Sequence, residues 1–162
     1  MTAFLTRTPV IWGLLIATIL IGAGFGLFNE AVGGTYLDTI TNGEHSRSLV
    51  ASLSEAQRSA HLWVTVFLDT AYPLAYGGFF AAMALRFFGK YGRIAALPAL
   101  TTAIVDLTEN TVQALALSGA ADALDAKDWL TPLKFGLFFL AAAIALIALV
   151  IAVVNIFRKR KA

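Results

Sequence analysis

The residues best suited to chemistry in this sequence lie inside a segment that is otherwise apolar. The run VDLTEN, residues 105–110, places Asp106, Glu109 and Asn110 between the apolar stretches LPALTTAI and TVQALALSG. A charged residue deep in a membrane span costs about 2.5–3.5 kcal/mol on insertion scales. These three side chains therefore indicate either a ligand or proton site or a hydrogen-bond network that fixes helix pairing.

Helical spacing extends this group to two neighbouring segments. A helix turns about 100° per residue, so residues three or four positions apart share a face. Three segments then each carry one polar stripe, formed by His61, Thr65, Asp69, Tyr72 and Tyr76, by Thr102, Asp106, Glu109, Asn110 and Gln113, and by Thr131 and Lys134. Because lipid cannot satisfy polar groups, we expect the stripes to face one another and to enclose a polar pocket.

Proton transfer is the chemistry that these side chains would serve best. Asp106 and Glu109 are the candidate acid/base residues, and Lys134 would stabilise developing charge, which makes these three the predicted catalytic residues. The predicted ligand-binding residues are Asp69, Tyr72, Tyr76, Asn110, Gln113, Thr131 and His61. Structural alternatives stay open, with Lys134 as a counter-ion, the tyrosines as packing residues and His61 as a cap at the outer mouth.

The formal charges in this polar layer do not balance. Asp69, Asp106 and Glu109 face Lys134 alone, which leaves two negative charges if every group ionises. Burial and like-charge proximity both favour the neutral form of a carboxyl. We therefore expect one carboxyl to be protonated or a further cation to be present. No metal-ligand spacing occurs, so no metal site is predicted, and the identity of any cofactor is left open.

Composition places the chain in a membrane. Hydrophobic residues make up 59% and charged residues 14% of its 162 residues, with a mean hydropathy of +0.77. Soluble domains contain roughly 45–50% and 25%. Four segments reach the length that a bilayer requires, at approximately 9–28, 61–87, 94–118 and 129–157. The predicted fold is all-α, a single integral membrane domain over 1–162 built as a four-helix bundle. The lack of cysteine excludes thiol chemistry.

Loop charges predict the orientation of the four spans. Basic residues occur before the first span, between spans two and three and in the tail RKRK, whereas the other two connections are acidic. The positive-inside rule then places both termini in the cytoplasm and a loop of about 30 residues outside. We expect a multi-pass protein of the bacterial inner membrane. The basic residues serve topology, so the bilayer and not nucleic acid is the predicted partner.

Two local signals bear on the ends of the spans. The first apolar run is longer than a usual signal-peptide core, so we expect that span to be retained. In the outer loop, Ser52 and Glu55 form a capping-box pattern, which predicts a helix that begins near Leu53 and runs into the second span. The rest of this loop is predicted to be irregular or a short lid.

The motifs resemble those of an uncharacterised family of small bacterial four-span membrane proteins, whose spans carry D-x-x-[FY]-P, D-x-x-E-N and T-x-x-K. The corresponding residues here are Asp69, Tyr72, Pro73, Asp106, Glu109, Asn110, Thr131 and Lys134. The general plan is also similar to the sterol-isomerase and sigma-2 type membrane fold, as an analogy of architecture only. Neither resemblance supplies an activity.

Three functions fit this pattern. The first is a pocket that binds a small amphiphilic molecule, such as an isoprenoid, sterol-like or quinone-like compound, with or without isomerisation or other acid/base chemistry on it. The second is a transporter or proton-coupling subunit, although the apolar runs FFAAMAL and FFLAAAIALIALV leave no polar path through one chain. The third is an accessory subunit of a larger membrane complex, and a homo-oligomer is also open.

Overall fold

The computed structural model describes residues 2–161, with side-chain detail for residues 3–158, and every regular element in this range is helical. The all-α fold class is therefore confirmed. The α-helices are α1 (Thr2–Leu5), α2 (Thr8–Phe28), α3 (Gly43–Ser52), α4 (Glu55–Trp63), α5 (Thr70–Phe87), α6 (Gly92–Ala95), α7 (Leu97–Ser118) and α8 (Lys127–Lys161). Short 3₁₀ helices cover Leu37–Thr39, Gly89–Tyr91 and Leu124–Ala126, and a π-helical segment covers Val64–Asp69.

Two helices are long and apolar enough to cross a membrane, α2 and the helix within Leu124–Arg158. Only 6% and 17% of their most apolar windows are buried, so neither is enclosed by the rest of the chain. The predicted spans 61–87 and 94–118 correspond to α4–α5 and to α7. Neither of these two is among the candidate membrane spans by length and composition, because the polar stripes lower its mean hydropathy.

The helix α4, which leads into the predicted span 61–87, begins at Glu55, two residues after the start near Leu53 that the capping pattern predicted. Ser54, not Ser52, is the N-cap: its Oγ accepts a hydrogen bond from the Gln57 backbone N–H. The Gln57 side chain accepts from the Ser54 backbone N–H at 3.0 Å and so completes a capping box. From there the helix continues as predicted, through α4 and the π-helical segment into α5.

The helix α5 lies at the centre of the bundle, where it packs against α2, α7 and α8. One half of this core consists largely of small residues, including Ala81, Ala84, Ala141 and Ala145. Small side chains allow helix backbones to approach closely. At the α5–α7 crossing, a Cβ on Gly77 would lie 3.2 Å from the Ala99 carbonyl oxygen, so the two backbones are nearly in contact.

The loop between α2 and α4, called the outer loop here after its predicted location, contains a helix that we predicted as irregular chain. Asn42 caps α3 by accepting a hydrogen bond from the His45 N–H at 3.0 Å. Charged contacts then hold α3 against the segment before α8 and against the first turn of α8. Arg47 donates to Asp122 at 2.5 Å and to Asp125 at 2.8 Å, and the Gly43 N–H donates to Asp128 at 2.8 Å. These contacts span more than seventy residues, so no local pattern encodes them.

Candidate functional site

The three polar stripes converge in the structure as predicted. Nine of the ten predicted site residues are buried, and the tenth, Tyr72, is half-buried. The nine are His61, Asp69, Tyr76, Asp106, Glu109, Asn110, Gln113, Thr131 and Lys134. Since α7 packs against both α5 and α8, its stripe forms the shared wall between the other two. Helical spacing thus identified the inward faces correctly.

Glu109 is the most enclosed carboxylate of the site. Its Oε1 accepts a short contact from the Lys127 ammonium and a hydrogen bond of 2.6 Å from the Thr131 hydroxyl. The Gln113 amide donates to the same oxygen at 3.3 Å, and the Lys134 Nζ lies 2.9 Å from Oε2. Two ammonium groups and two neutral donors stabilise the ionised form, so Glu109 is the fixed anion of this layer.

Asp106 has fewer partners. The Tyr76 hydroxyl donates to its Oδ2 at 2.6 Å, whereas Oδ1 lies 3.7 Å from the Lys134 Nζ and accepts no hydrogen bond within residues 3–158. Carboxylates generally accept several hydrogen bonds when buried. One oxygen of each carboxylate, Oδ1 of Asp106 and Oε2 of Glu109, accepts no hydrogen bond, but the Lys134 Nζ is nearer to that of Glu109, at 2.9 Å against 3.7 Å.

Asp69 is placed by an irregular piece of helix. It is the last residue of the π-helical segment. The hydroxyl of the next residue, Thr70, donates back to the Thr65 carbonyl at 3.1 Å. The Asn110 amide donates to the Asp69 backbone carbonyl at 2.9 Å, which ties this irregular turn to α7. Such π-helical turns are rare and frequently occur at functional sites. Here the turn directs a carboxylate into the bundle.

A short segment of the outer loop, residues 36–39, closes over the stripes, and we call it the strap. The Tyr36 hydroxyl donates to the Phe25 carbonyl at 2.6 Å, and the Leu37 N–H donates to Nε2 of His61 at 3.3 Å. The next residue, Asp38, forms a short ion pair with Lys134. His61 therefore holds the strap at the outer end, in line with the capping role left open above.

A cavity of about 190 Å³ lies beneath the strap. Its lining combines acidic and basic groups with aromatic rings: Asp38, Tyr72, Tyr76, Asp106, Lys134, Phe135 and Phe138. The rings pack edge to face, with centroid distances of 5.2 Å for Tyr72–Tyr76 and 5.1 Å for Tyr76–Phe138. Of the three predicted catalytic residues, Asp106 and Lys134 line this cavity, and Glu109 lies behind it.

Sequence analysis missed two residues of this network. Lys127 is fully buried against Glu109, although its position falls before the predicted span 129–157. Its spacing of four and seven positions from Thr131 and Lys134 would have revealed it if α8 had been predicted to begin two residues earlier. Asp38 had no comparable signal, because it comes from a 3₁₀ turn in the loop.

The two missed residues leave the charge imbalance unchanged. Four carboxyl groups, Asp38, Asp69, Asp106 and Glu109, now face Lys127 and Lys134, so four negative charges minus two positive charges again leave two in excess if every group ionises. Carboxylate oxygens of Asp38, Asp69 and Asp106 lie within 4.8 Å of one another. Asp38 and Asp106 of this group line the cavity, and Asp69 lies next to them.

Comparison with known proteins supplies no relative from which a role could be transferred. No family model, no curated protein and no solved structure matches the chain. The chemistry of the site therefore has to be argued from its own geometry.

Proposed function

We propose that the chain is a four-span protein of the bacterial inner membrane that binds a small amphiphilic molecule in the cavity beneath the strap. The spans would be α2, the continuous helix from α4 to α5, α7 and α8. One observation carries the proposal: a network of ionised side chains is buried around a cavity, while large apolar side chains cover the outside. Soluble domains have the opposite arrangement.

The outward surfaces of all four helices support a lipid environment. Large apolar side chains are exposed on each one, among them Ile16, Leu20, Leu27, Phe67, Leu74, Leu97, Ile104, Phe139 and Leu146. At 1.5 Å per residue, the 21 residues of α2 and the 22 of α7 extend roughly 31 and 33 Å. This matches the thickness of about 30 Å of a bilayer core.

The proposed orientation agrees with the position of the basic residues. Arg86 at the end of α5 donates to the Thr8 hydroxyl at the start of α2 at 2.9 Å. That contact brings Arg86 and Arg7 to one end of the bundle, and the strap lies with α3 and its acidic partners at the other end. The positive-inside rule then favours cytoplasmic termini and an outward-facing strap.

The cavity dimensions and lining define what kind of molecule would fit. Drug-sized ligands occupy roughly 300–1,000 Å³, so a cavity of about 190 Å³ accommodates a polar head group and little more. Among the residues that line it, Asp106 and Lys134 offer polar contacts, and Phe135 and Phe138 offer apolar contacts. The rest of the molecule would extend between helices into the lipid, which is the behaviour of an amphiphile.

Acid–base chemistry on the bound molecule is a second candidate, favoured by the contact between Asp106 and Tyr76. A carboxyl that lines a cavity and keeps one free oxygen is able to exchange a proton with a ligand. Lys134 would stabilise negative charge that develops on the ligand. Glu109 would act as a positioning residue, since it holds Lys134 without lining the cavity.

Transport across the membrane receives less support from the packing. The half of the bundle away from the strap is filled by alanines such as Ala82, Ala141 and Ala148, which offer no polar groups for a relay. We also propose, on the three motifs given above, that the chain belongs with the small four-span bacterial proteins that it resembles. This family assignment and the ligand-binding proposal concern the same residues. The experiment below tests ligand binding first.

Native mass spectrometry in mild detergent, combined with lipid extraction, tests the proposed function. The wild type should retain a small molecule, and Asp106→Asn, which changes a group that lines the cavity, should lose it. Glu55→Gln, an exposed carboxylate on α4, serves as the matched control and should keep the ligand. A wild type without any ligand, folded like the variants, would contradict the proposal and favour an accessory subunit, for which pull-downs are the next measurement.

A further inference from the structure

Three carboxylates lie close together at the cavity: Asp38 and Asp106 line it, and Asp69 lies within 4.8 Å of both. We propose that Asp38, Asp69 and Asp106 form a cation site, occupied either by the ammonium end of an amphiphile or by a free hard metal ion. With an amphiphile as the occupant, the inference rests on the proposed function and deepens it by assigning a positive charge to the ligand. It assigns a ligand chemistry to three neighbouring carboxylates that share a single nearby lysine, Lys134.

Geometry is the first argument. The three residues each offer a carboxylate oxygen, and these oxygens all lie within 4.8 Å of one another. A hard cation such as Ca²⁺ binds oxygen at about 2.3–2.6 Å, so two ligands on opposite sides of it are at most about 5 Å apart. An ammonium group forms hydrogen bonds of about 2.8 Å to several acceptors at once, which fits the same triangle.

The second argument is a buried carboxylate without a partner. Asp69 is only 4% exposed, yet no hydrogen-bond donor or ion-pair partner contacts its carboxylate within residues 3–158. The Oδ1 atom of Asp106, which is also 4% exposed, accepts no hydrogen bond either. Because an unpaired buried charge is strongly unfavourable, both groups favour an additional positive species between them.

Charge distribution within the network provides the third argument. Lys127 is committed to Glu109, and Lys134 is divided between Glu109 at 2.9 Å and the nearby Asp38. The Lys134 Nζ lies 3.7 Å from Oδ1 of Asp106, and within residues 3–158 no lysine nitrogen lies within 4 Å of the Asp69 carboxylate. The two ammonium groups thus lie closest to Glu109 and Asp38, which leaves the carboxyl groups of Asp69 and Asp106 with the least positive charge nearby.

The walls and the mouth of the cavity suit a cation as well. Rings of Tyr72, Tyr76 and Phe138 surround the cavity, and an ammonium group near an aromatic face gains cation–π attraction. The Asp38 side chain is 26% exposed, so one ligand of the proposed site is in contact with the outer surface. A cation could therefore enter at the strap without disturbing the buried Glu109 pair.

The test compares three amphiphiles of equal chain length that differ only in charge: octylammonium, octanol and octanoate. Their effect on the thermal midpoint of the purified protein in detergent is measured by titration, with CaCl₂ and MgCl₂ as separate titrations without amphiphile. Asp69→Asn and Asp106→Asn remove the proposed ligands one at a time. Glu55→Gln removes an exposed carboxylate and corrects for partitioning of the amphiphiles into the micelle.

We expect octylammonium to bind the wild type and Glu55→Gln about tenfold more tightly than octanol or octanoate. Its affinity should fall by about tenfold in Asp69→Asn, the change expected for the loss of one charge-assisted contact. If Ca²⁺ or Mg²⁺ instead raises the midpoint of the wild type, and the effect disappears in Asp69→Asn, the inference holds with a free metal ion as the cation.

Two results would overturn it. Equal binding of all three amphiphiles, lost in Asp106→Asn but unaffected by Asp69→Asn, would leave an uncharged amphiphile pocket and remove the cation site. Absence of any response to the amphiphiles and to both metal ions would remove the cation site together with the amphiphile pocket.

Discussion

The Lys134 ammonium on α8 pairs with the carboxylate of Asp38, which lies ninety-six residues earlier in the chain, on the strap. The same nitrogen lies 2.9 Å from Oε2 of Glu109 on α7. One side chain therefore connects the strap, α7 and α8. The strap is held over the cavity by charge and not by apolar packing alone, which makes its position sensitive to mutations at either residue.

Asp38→Asn should loosen the strap without unfolding the bundle. The substitution weakens one charge-assisted contact at a partly exposed position, so we expect a stability loss of only about 1 kcal/mol. Hydrogen exchange should accelerate at residues 36–39 and stay unchanged in α7. Tyr36→Phe, which removes the hydroxyl bonded to the Phe25 carbonyl, is the matched control, because it should loosen the same segment with the charges intact. Unchanged exchange in both variants would contradict the role of the strap contacts.

Lys127→Met should destabilise the protein strongly. Lys127 and Glu109 are both fully buried. Removing one partner of a buried ion pair costs about 3–5 kcal/mol, because the charge of the other partner is no longer compensated by it. Combining Lys127→Met with Glu109→Gln should restore part of that loss, which chemical denaturation in detergent would measure as a non-additive double mutant. Strictly additive effects would show that the two side chains do not stabilise each other.

Asp69→Asn should leave the protein equally stable or more stable than the wild type. Its carboxylate is buried without a donor, so removing the charge relieves a desolvation penalty of about 1–3 kcal/mol. Thermal unfolding in ligand-free detergent, at neutral pH, provides the measurement. A gain in stability with a loss of ligand binding is the pattern expected of a functional residue. A clear fall in the midpoint would show that the Asp69 carboxylate has a structural partner.

Gly77→Val should weaken the packing of α5 on α7. A Cβ at this position already lies 3.1 Å from the Ala103 Cβ and 3.2 Å from the Ala99 carbonyl, so the larger side chain forces the helices apart, at about 1–3 kcal/mol. Gly136→Ala on α8 is the control, because nothing lies within 4 Å of its added methyl group. Alanine in a helix should be neutral there or stabilising by up to about 1 kcal/mol.

The contacts of α3 should depend on pH in the acid range. Hydrogen bonds from Arg47 hold the pKa of Asp122 and the pKa of Asp125 below the ordinary value of 3.8. A carboxyl whose pKa is lower in the folded state stabilises it above 3.8 and loses that contribution as the pH falls through the lowered pKa. We expect Arg47→Gln to accelerate hydrogen exchange in α3 at pH 6, and we expect this difference from the wild type to shrink as the pH falls below 3.8.

High salt offers the control for that measurement. Asp122 and Asp125 are exposed, so added salt should screen their attraction to Arg47 and reduce the difference between wild type and variant at pH 6. A difference that persists unchanged at low pH and at high salt would show that Arg47 acts through packing of its side-chain stem.

Much of the architecture followed from local spacing. The stripe from Thr102 to Gln113 was predicted to face inward because its members recur at helical intervals, and all of them are buried. The alternation of apolar and polar faces depends only on the helical repeat and on the cost of exposing charge to lipid. Both are properties of neighbouring residues, so the inward face of each helix is readable before any helix is placed.

The helical spacing of polar residues in the sequence did not predict which side chains pair with one another inside the bundle. Asp106 and Glu109 look equivalent in the sequence, yet Glu109 is enclosed by Lys127, Thr131, Gln113 and Lys134, whereas Asp106 lines the cavity with a free oxygen. Which of the two becomes the fixed anion depends on the angle at which α8 crosses α7 and on the start of α8 at Lys127. Asp38 joins them through a loop path held by distant contacts, and such contacts arise from packing of whole helices, which no periodic pattern encodes.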